Sequence, residues 1–361
     1  MKRSVISCAL SMLAAAGLAA QLVVPARAAT WEEVVAAAKK EGSVIVSGPA
    51  GKAWHDALMK FQDDYPGIKL ELSNAAGRDY WSRVAKEREV KRYLWDVRVG
   101  GADTSIYDFM KQGALAPVRD QLMLPEITDE NNWYGGFEHS YLDDGKKFFP
   151  TFCMYDTAFG FYNRTFIKDE EMPNLESLVD PKWKGKIAMT DPAEGNSSVT
   201  TVMLYRRYGE DFMRKLYRDQ APVIIRNPRQ MVGAFADGTY PIAIGMASST
   251  VVDFEDRGVK LNLGQVKGLP RWSPGVCSLQ ILQPRPHPNA TTVFINWLLT
   301  QKTQEAIMPL IKLNSRRKGV TLGDPERALD MSQLDQYQSG QEEEYVADME
   351  KAKSFVKSIM K

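Results

Sequence analysis

Cysteine and histidine are scarce in this chain, and their scarcity narrows the chemistry that the protein could perform. Three cysteines and three histidines occur among 361 residues. The sequence has no G-x-S-x-G, H-E-x-x-H or C-x-x-C motif, and neither glycine-rich phosphate-binding pattern, G-x-x-x-x-G-K-[ST] or G-x-G-x-x-G, occurs. His287 lies in the proline-bounded turn RPHPN, which favours an exposed side chain. A binding protein is therefore favoured over a secreted enzyme, which stays as an alternative.

Long apolar runs are absent except at the start of the chain. A basic start is followed there by an apolar stretch from Val5 to Val24 and by a small-residue motif that ends at Ala28. This pattern predicts a secretory signal peptide over residues 1–28 and a periplasmic mature protein. Cys8 lies too early to be a lipid-attachment site, and no later segment is long and apolar enough to be predicted as a membrane span.

Charge of neither sign dominates. The 46 basic and 45 acidic residues give a formal net charge of +1. Cleavage after the signal peptide would remove Lys2, Arg3 and Arg27 and leave a charge of about −2. Nucleic acid and anionic membrane surfaces are therefore not favoured as partners. A hydrophobic content of 44% with 25% charged residues is typical of a globular protein, with room for two lobes.

One strand-and-helix pattern occurs twice along the mature chain. In the first half, strand-like segments at 42–48, 68–74 and 95–101 alternate with helical stretches at 52–65 and 79–93. The second half repeats the plan, with strands at 185–191, 222–227, 240–246 and 259–265 and with helices after Asn196 and Pro228. This order predicts an α/β fold of two lobes, each with a parallel sheet covered by helices.

Two apolar, extended segments lie where the chain must pass between the lobes, at 148–163 and 272–282. We interpret them as hinge strands. The predicted organisation is lobe 1 from 29–150 and 275–320, lobe 2 from 155–272, and a C-terminal helical segment, 321–361, packed on the lobes. Cys153 and Cys277 fall on the two hinge strands. If these strands are neighbours, the Cα atoms come within the roughly 4.4 to 6.8 Å that a disulfide requires. Buried free thiols are the alternative.

Small and polar residues follow nearly every predicted strand, as in SGPAG, SNAAG, GGADT, TDPAEGN and GMASS. Ligands of open α/β sheets bind at the carboxyl ends of strands, so these ends predict the walls of a ligand cleft. Simple strand termination is the alternative. The candidate ligand-binding residues at these ends and beside the hinge are Pro49, Gly51, Arg78, Gly101, Asn196, Ser197, Ser198, Arg226, Asn227, Ala247, Ser248 and Trp272.

Two features of this set suggest an anionic ligand, and a third suggests an organic one. Residues 195–198 begin a helix, where free N–H groups and the helix dipole attract an anion, although an ordinary N-cap fits equally well. Arg226 could clamp a carboxylate or phosphonate beside the Asn227 amide. Trp272 could stack on an organic ligand or serve only in packing. Arg98 is unusual in a short buried strand, where it could reach the cleft or an ion-pair partner.

Several longer stretches resemble a known family. WEEVVAAAKKEGSVIVSG, LVDPKWKGKIAMTDP, FADGTYPIAIG, HPNATTVFINWLLTQKTQEAI and NSRRKGV together resemble a periplasmic solute-binding protein of an ABC importer, in the branch of extracellular solute-binding family 1 that includes ferric-iron-binding proteins. The resemblance implies a type II periplasmic-binding-protein fold in which hinge strands join two α/β lobes. It also implies a monomer without a cofactor that passes a small-molecule ligand to an inner-membrane ABC permease. A sensory protein that reports to a membrane receptor would have the same fold.

The ligand set implied by the ferric branch is missing here. Its tyrosine pair would fall within Met246 to Ser249, and its histidine and glutamate within SGPAG and GGADT, yet none of these stretches contains a tyrosine, histidine or glutamate. Ferric ion requires anionic oxygen ligands, and Asp103 alone cannot replace the set. We therefore expect a small, anionic organic solute such as a carboxylate or phosphonate, with ferric ion or an iron chelate as the alternative.

Overall fold

The computed structural model describes residues 29–74, 77–101, 105–246 and 248–360, and these residues form two α/β lobes. The predicted signal peptide lies outside them. The helices, in chain order, are α1 (Trp31–Glu41), α2 (Lys52–Met59), α3 (Phe61–Asp64), α4 (Gly77–Glu89), α5 (Ser105–Lys111), α6 (Pro125–Thr128), α7 (Gly195–Arg214), α8 (Pro228–Ala236), α9 (Ser248–Asp256), α10 (Pro288–Leu299), α11 (Gln301–Ile311) and α12 (Val346–Ile359). The strands are β1 (Ser43–Gly48), β2 (Lys69–Asn74), β3 (Val97–Gly100), β4 (Leu115–Ala116), β5 (Tyr155–Asp156), β6 (Gly160–Asn163), β7 (Ile187–Met189), β8 (Val223–Ile224), β9 (Ile242–Ile244), β10 (Leu263–Gln265), β11 (Trp272–Ser273) and β12 (Ser278–Leu282).

Local sequence fixes the first helix of lobe 1. The Thr30 hydroxyl accepts a hydrogen bond from the Glu33 backbone N–H, and the Glu33 carboxylate accepts one from the Thr30 backbone N–H, which completes a capping box. Gly42 ends α1 in the left-handed conformation with φ of 79°. Helix α1 then packs against α10, which is buried along nearly its whole length and also contacts β1.

The lobe 1 sheet has the strand order β2-β1-β3-β12-β4. Strand β1 is parallel to β2 and β3, whereas β12 is antiparallel to both β3 and β4. The three strands predicted in the first half of the chain are confirmed. The parallel arrangement predicted for them is also confirmed, whereas β12, which the chain enters directly from its second crossing, runs opposite to its neighbours.

The lobe 2 sheet has the order β10-β6-β9-β7-β8. Strand β7 is parallel to β8 and β9, and β6 is antiparallel to β9 and β10. The strands predicted at 185–191, 222–227 and 240–246 are confirmed in shortened form. Of the segment 259–265, only Leu263–Gln265 pairs, and it does so at the antiparallel edge of the sheet.

The two predicted hinge segments meet in a two-stranded ribbon. Strands β5 and β11 pair antiparallel, with Trp272 opposite Asp156 and Ser273 opposite Tyr155. Beside this ribbon, Cys153 and Cys277 form a disulfide with a Cα–Cα distance of 5.5 Å, and both are fully buried. The hinge prediction and the proposed disulfide are therefore confirmed.

The C-terminal segment ends in a helix that packs on lobe 2. Tyr345, Met349, Ala352 and Val356 are buried in the lobe 2 core, and α12 lies against α7. The predicted amphipathic helix is thus confirmed. The strands of the two sheets fall within the predicted lobe ranges, and the lobe boundaries themselves stay a prediction. None of the helices in the described part of the chain combines the length and apolar character that crossing a bilayer requires.

Candidate functional site

A cavity of about 430 Å³ lies beside the hinge ribbon, within the size range of small-molecule sites. We call it the hinge cavity. None of the described residues before Tyr155 lines it. Its walls come from lobe 2, the two crossings and the C-terminal segment: Tyr155, Asp156, Thr157, Ala158, Phe159, Phe161, Met189, Thr190, Pro192, Ser197, Thr200, Thr201, Tyr217, Ile244, Gly245, Met246, Gln265, Arg271, Ser273, Glu326, Arg327 and Gln341.

Two strand ends and a helix start form the polar wall of the hinge cavity. Thr190 follows β7, Gly245 follows β9, and Ser197 lies in the first turn of α7. The hydroxyls of Thr190 and Ser197 are 2.5 Å apart. A Cβ at Gly245 would lie 2.1 Å from the Thr190 hydroxyl, and its φ is +80°, so only glycine fits there. The ends of β7 and β9 thus line a cavity, and that this cavity holds the ligand stays a prediction.

Arg271 places a positive charge in the hinge cavity. One terminal nitrogen of its guanidinium donates to the Thr200 hydroxyl at 2.6 Å. The Nε atom is buried and meets no hydrogen-bond acceptor among the described residues. Burial lowers the pKa of the Arg271 guanidinium, because the surroundings solvate its charge poorly. No carboxylate in the described ranges lies within 4 Å of it.

Asp156 brings a negative charge to the same cavity. Burial raises the pKa of its carboxyl group, and a hydrogen bond from the Thr157 backbone N–H lowers it in part. No lysine, arginine or histidine of the described chain forms an ion pair with it within 4 Å. The Thr157 backbone N–H also donates to the Arg271 carbonyl at 3.1 Å, so Asp156, at the end of β5, lies near Arg271, which immediately precedes β11.

Residues from the C-terminal segment complete the cavity. Arg327 stacks over the Tyr155 ring at 4.6 Å and donates to Asp324 at 2.6 Å. Glu326 is exposed, and Gln341 approaches from the same segment. The Gln341 carbonyl accepts a hydrogen bond from the Tyr107 hydroxyl at 2.7 Å, which ties this wall to lobe 1. Sequence reasoning assigned 321–361 only a structural role, so it missed these cavity residues.

The lobe 1 candidates that the structure describes, Pro49, Gly51 and Gly101, lie outside the hinge cavity. The Pro49 carbonyl accepts a hydrogen bond from the Asn74 side chain, and Gly51 precedes α2 with φ of 108°. Gly101 approaches the carbonyl of Gly275, near which Tyr155 also lies. Arg98 is buried in the sheet, where it donates to Ser47 and stacks over the Tyr80 ring at 4.5 Å.

Among the lobe 2 and hinge candidates whose side chains the structure describes, Ser197 alone lines the hinge cavity. Ser198 follows it on α7 but is not a lining residue. The Arg226 side chain is 80% exposed and lies 4.0 Å from Asp191. Asn227 caps α8 by accepting hydrogen bonds from two backbone N–H groups. The side chains of Arg78, Asn196 and Ser248, and the whole of Ala247, lie outside the described part of the structure.

Of the two roles considered for Trp272, ligand stacking and packing, the structure shows packing. Its ring is buried beneath the Arg316 guanidinium, at 4.8 Å, and it does not line the hinge cavity. Its neighbours Arg271 and Ser273 do. The sequence signal for the missed residues was a charged residue in or beside each apolar crossing. Asp156 lies within FFPTFCMYDTAFGFYN, and Arg271 immediately precedes WSPGVCSLQIL.

The predicted exposure of His287 is wrong. Its Nδ1 atom lies 2.8 Å from the buried Asp96 carboxylate, and its Nε2 atom lies 3.3 Å from the Ser43 hydroxyl. The Asp96 carboxylate also accepts hydrogen bonds from the backbone N–H groups of Ile45 and His287. None of these residues lines the hinge cavity, and the cluster joins β1 to the start of α10. We interpret it as a structural contact of lobe 1.

Comparison with known proteins identifies the class. Residues 56–328 match the sequence profile of the bacterial extracellular solute-binding proteins, so the chain belongs to that family. It is a solute-binding protein, not an enzyme: proteins of this kind bind a small ligand outside the cytoplasmic membrane and deliver it to the permease of an ABC importer. No curated protein sequence matches the chain.

Solved structures share the fold at low sequence identity. Iron-bound HitA from Pseudomonas aeruginosa is 20% identical, with a TM-score of 0.64 over 88% of this chain and 99% of that one. IdiA (FutA) from Trichodesmium, in complex with iron and citrate ligands, is 15% identical, with a TM-score of 0.66 over 88% and 99%. Apo ferric ion-binding protein A from Pasteurella haemolytica is 15% identical, with a TM-score of 0.63 over 88% and 98%.

Proposed function

We propose that this protein captures a small, anionic organic solute in the periplasm and delivers it to an inner-membrane ABC permease. The observation that carries the proposal is Arg271, whose guanidinium reaches the hinge cavity without a carboxylate partner in the described chain. A solute carboxylate, phosphonate or sulfonate would supply the missing acceptor. We further propose that the protein is exported through a signal peptide at 1–28 and that the mature protein is a monomer. Mass spectrometry of the periplasmic protein tests the cleavage, and light scattering tests the monomer.

The energetics of the buried guanidinium support an anionic ligand. A desolvated charge costs several kcal/mol unless an opposite charge or several hydrogen bonds compensate it. Thr200 provides one acceptor and leaves the buried Nε donor unsatisfied. A planar anionic group could accept from Nε and a terminal nitrogen together, which is the strong bidentate arrangement of arginine. The hydroxyls of Ser197 and Thr190 lie on the same cavity wall.

Ferric ion or an iron chelate is the second candidate, because two structural neighbours hold iron and one of them also holds citrate. The part of the chain that the structure describes contains no group of three or more histidine, cysteine, aspartate or glutamate residues that could hold a metal ion. Tyr217 lines the hinge cavity, but burial raises the pKa of its phenol to about 12. A ferric ligand must lose that proton, so the cavity favours an organic anion over the bare ion.

A thermal-shift screen tests this function. Small carboxylates, phosphonates, sulfonates, ferric chloride and ferric citrate are each added to the purified mature protein. A solute that binds the folded protein raises the melting temperature by an amount that grows with its concentration relative to its Kd, and we expect an organic anion to give the largest rise. The rise should vanish in Arg271→Gln and persist in Arg218→Gln, a matched control at an exposed arginine paired with Asp219. A rise with ferric chloride alone, unchanged in Arg271→Gln, would refute the proposal.

A further inference from the structure

The hinge cavity contains two opposite charges that do not pair with each other. Asp156, on β5, and Arg271, immediately before β11, both line it. Their charged groups are nevertheless more than 4 Å apart, since no ion pair joins them. Elsewhere in the described chain, the buried Arg317 forms an ion pair with Glu126, whereas Arg316 and Asp143 are buried without one. Asp156 and Arg271 differ from Arg316 and Asp143 in that both line one cavity.

Both charges are in surroundings that disfavour them. Burial lowers the pKa of the Arg271 guanidinium and raises the pKa of the Asp156 carboxyl group, so each loses solvation relative to water. An ion pair between Asp156 and Arg271 would compensate both groups for the lost solvation. The fold instead holds Arg271 against the Thr200 hydroxyl and leaves the Asp156 carboxylate with the backbone N–H of Thr157. A molecule between them that carries both signs of charge would compensate both groups at once.

We propose that the solute is a small zwitterion, with an anionic group that binds Arg271 and an ammonium group that binds Asp156. This inference rests on the proposed function and specifies its substrate class. Arg271 alone would accept any organic anion of suitable size. Asp156 distinguishes among them, because it would repel a simple anion and attract one that carries a nearby ammonium group. Glu326, the other acidic residue of the cavity wall, is exposed and exerts a weaker, solvent-screened influence.

The test uses pairs of compounds that differ only in the ammonium group. The pairs are 3-aminopropanoate with propanoate, 2-aminoethanesulfonate with ethanesulfonate, and 2-aminoethylphosphonate with ethylphosphonate. Ethylamine and ferric ion are added as separate probes. Affinities are measured by calorimetry for the full mature protein, for Asp156→Asn, and for Asp63→Asn, a control that removes an exposed acidic charge of lobe 1. Circular dichroism establishes that each variant is folded.

In the wild-type protein, the amine-bearing member of at least one pair should bind about tenfold or more tightly than its partner, as expected for one charge-assisted hydrogen bond. This preference should fall to about threefold or less in Asp156→Asn, which keeps the shape of the side chain but loses its charge. Asp63→Asn should keep the wild-type preference. The comparison within wild-type protein decides the question even if Asp156→Asn does not fold.

Failure of the inference differs from failure of the proposed function. If the simple anions bind as tightly as their amine-bearing partners, or if Asp156→Asn keeps the preference, the zwitterion is wrong and the anion-binding function stands. If no compound of the three pairs binds, or if only ethylamine or ferric ion binds, the proposed function and the inference are both refuted.

Discussion

The Arg271 guanidinium donates a hydrogen bond to the Thr200 hydroxyl at 2.6 Å. Arg271 belongs to the second crossing between the lobes, and Thr200 belongs to α7 of lobe 2. The contact therefore joins a hinge segment to the helix whose first turns line the hinge cavity. A solute that binds the guanidinium would contact the hinge as well as lobe 2. Solute binding could therefore change the angle between the two lobes.

Arg271→Gln should weaken solute binding far more than Arg226→Gln. A charge-assisted hydrogen bond contributes about 1.5 to 3 kcal/mol, which is about a tenfold to hundredfold loss in affinity. Arg226 is 80% exposed and lies outside the cavity lining, so its loss should change affinity little. Calorimetry with the solute found in the screen measures both effects. Equal losses in the two variants would place the site at the strand end after β8.

Ser197→Ala should weaken binding by about tenfold, because it removes one hydroxyl from the cavity wall and leaves Thr190 without its partner. The comparison variant is Ser358→Ala, at an exposed serine of α12 whose hydroxyl donates to the Phe355 carbonyl. Its affinity should match that of the wild-type protein. An unchanged affinity in Ser197→Ala would exclude this hydroxyl from the site.

Asp156→Asn should stabilise the ligand-free protein at neutral pH. Because burial raises the pKa of Asp156, the folded protein holds the proton more tightly than the unfolded chain does. This tighter proton binding stabilises the folded protein near the ordinary aspartate pKa of about 4. The stabilisation is lost as the pH rises through the raised pKa of Asp156. The gain in melting temperature should therefore be largest at pH 7 and shrink towards pH 4. A variant that is less stable at pH 7 would show that Asp156 has a structural partner.

Much of the fold follows from local patterns in the sequence. The apolar runs of β7 and β9 are buried on both faces, and such runs identify central strands without any partner information. The direction of β6 and β12 does not follow from those runs. It is set by where the crossings enter each sheet, and that depends on contacts between distant parts of the chain.

The candidate site is predictable only in part, for a similar reason. GMASS and the start of α7 point to the cavity wall from sequence alone, since small residues at strand ends and helix starts are local features. Arg271 was missed because its burial depends on the C-terminal segment, which pairs with it through Gln338. Arg226 was favoured by its position after a strand, yet the sequence around it does not show that it is exposed.

Loss of the Cys153–Cys277 disulfide should destabilise the protein without a direct effect on the cavity. The bond closes a loop of 124 residues and lies in the lobe 1 core. Replacing both cysteines with alanine should lower the free energy of unfolding by about 2 to 5 kcal/mol. Urea unfolding measures the loss, and thiol titration of denatured, unreduced mature protein should find no free thiol. Two titratable thiols would contradict the bond.

His287→Ala should destabilise lobe 1, because it removes a hydrogen-bond partner from the fully buried Asp96 carboxylate. The expected cost is about 1.5 to 3 kcal/mol, the usual value for a hydrogen bond to a charged group. The comparison variant is His55→Ala, at an exposed histidine of α2, which should cost far less. Urea unfolding of both proteins checks the difference. Solute affinity should be unchanged in folded His287→Ala, whereas lost affinity would give this cluster a role in binding.

The most direct test of the central claim is a crystal structure of the mature protein grown with the solute that gives the largest thermal shift. The account predicts that the solute occupies the hinge cavity with its anionic group within about 3 Å of the Arg271 guanidinium. A solute bound elsewhere, or a metal ion coordinated in the cavity in its place, would contradict it.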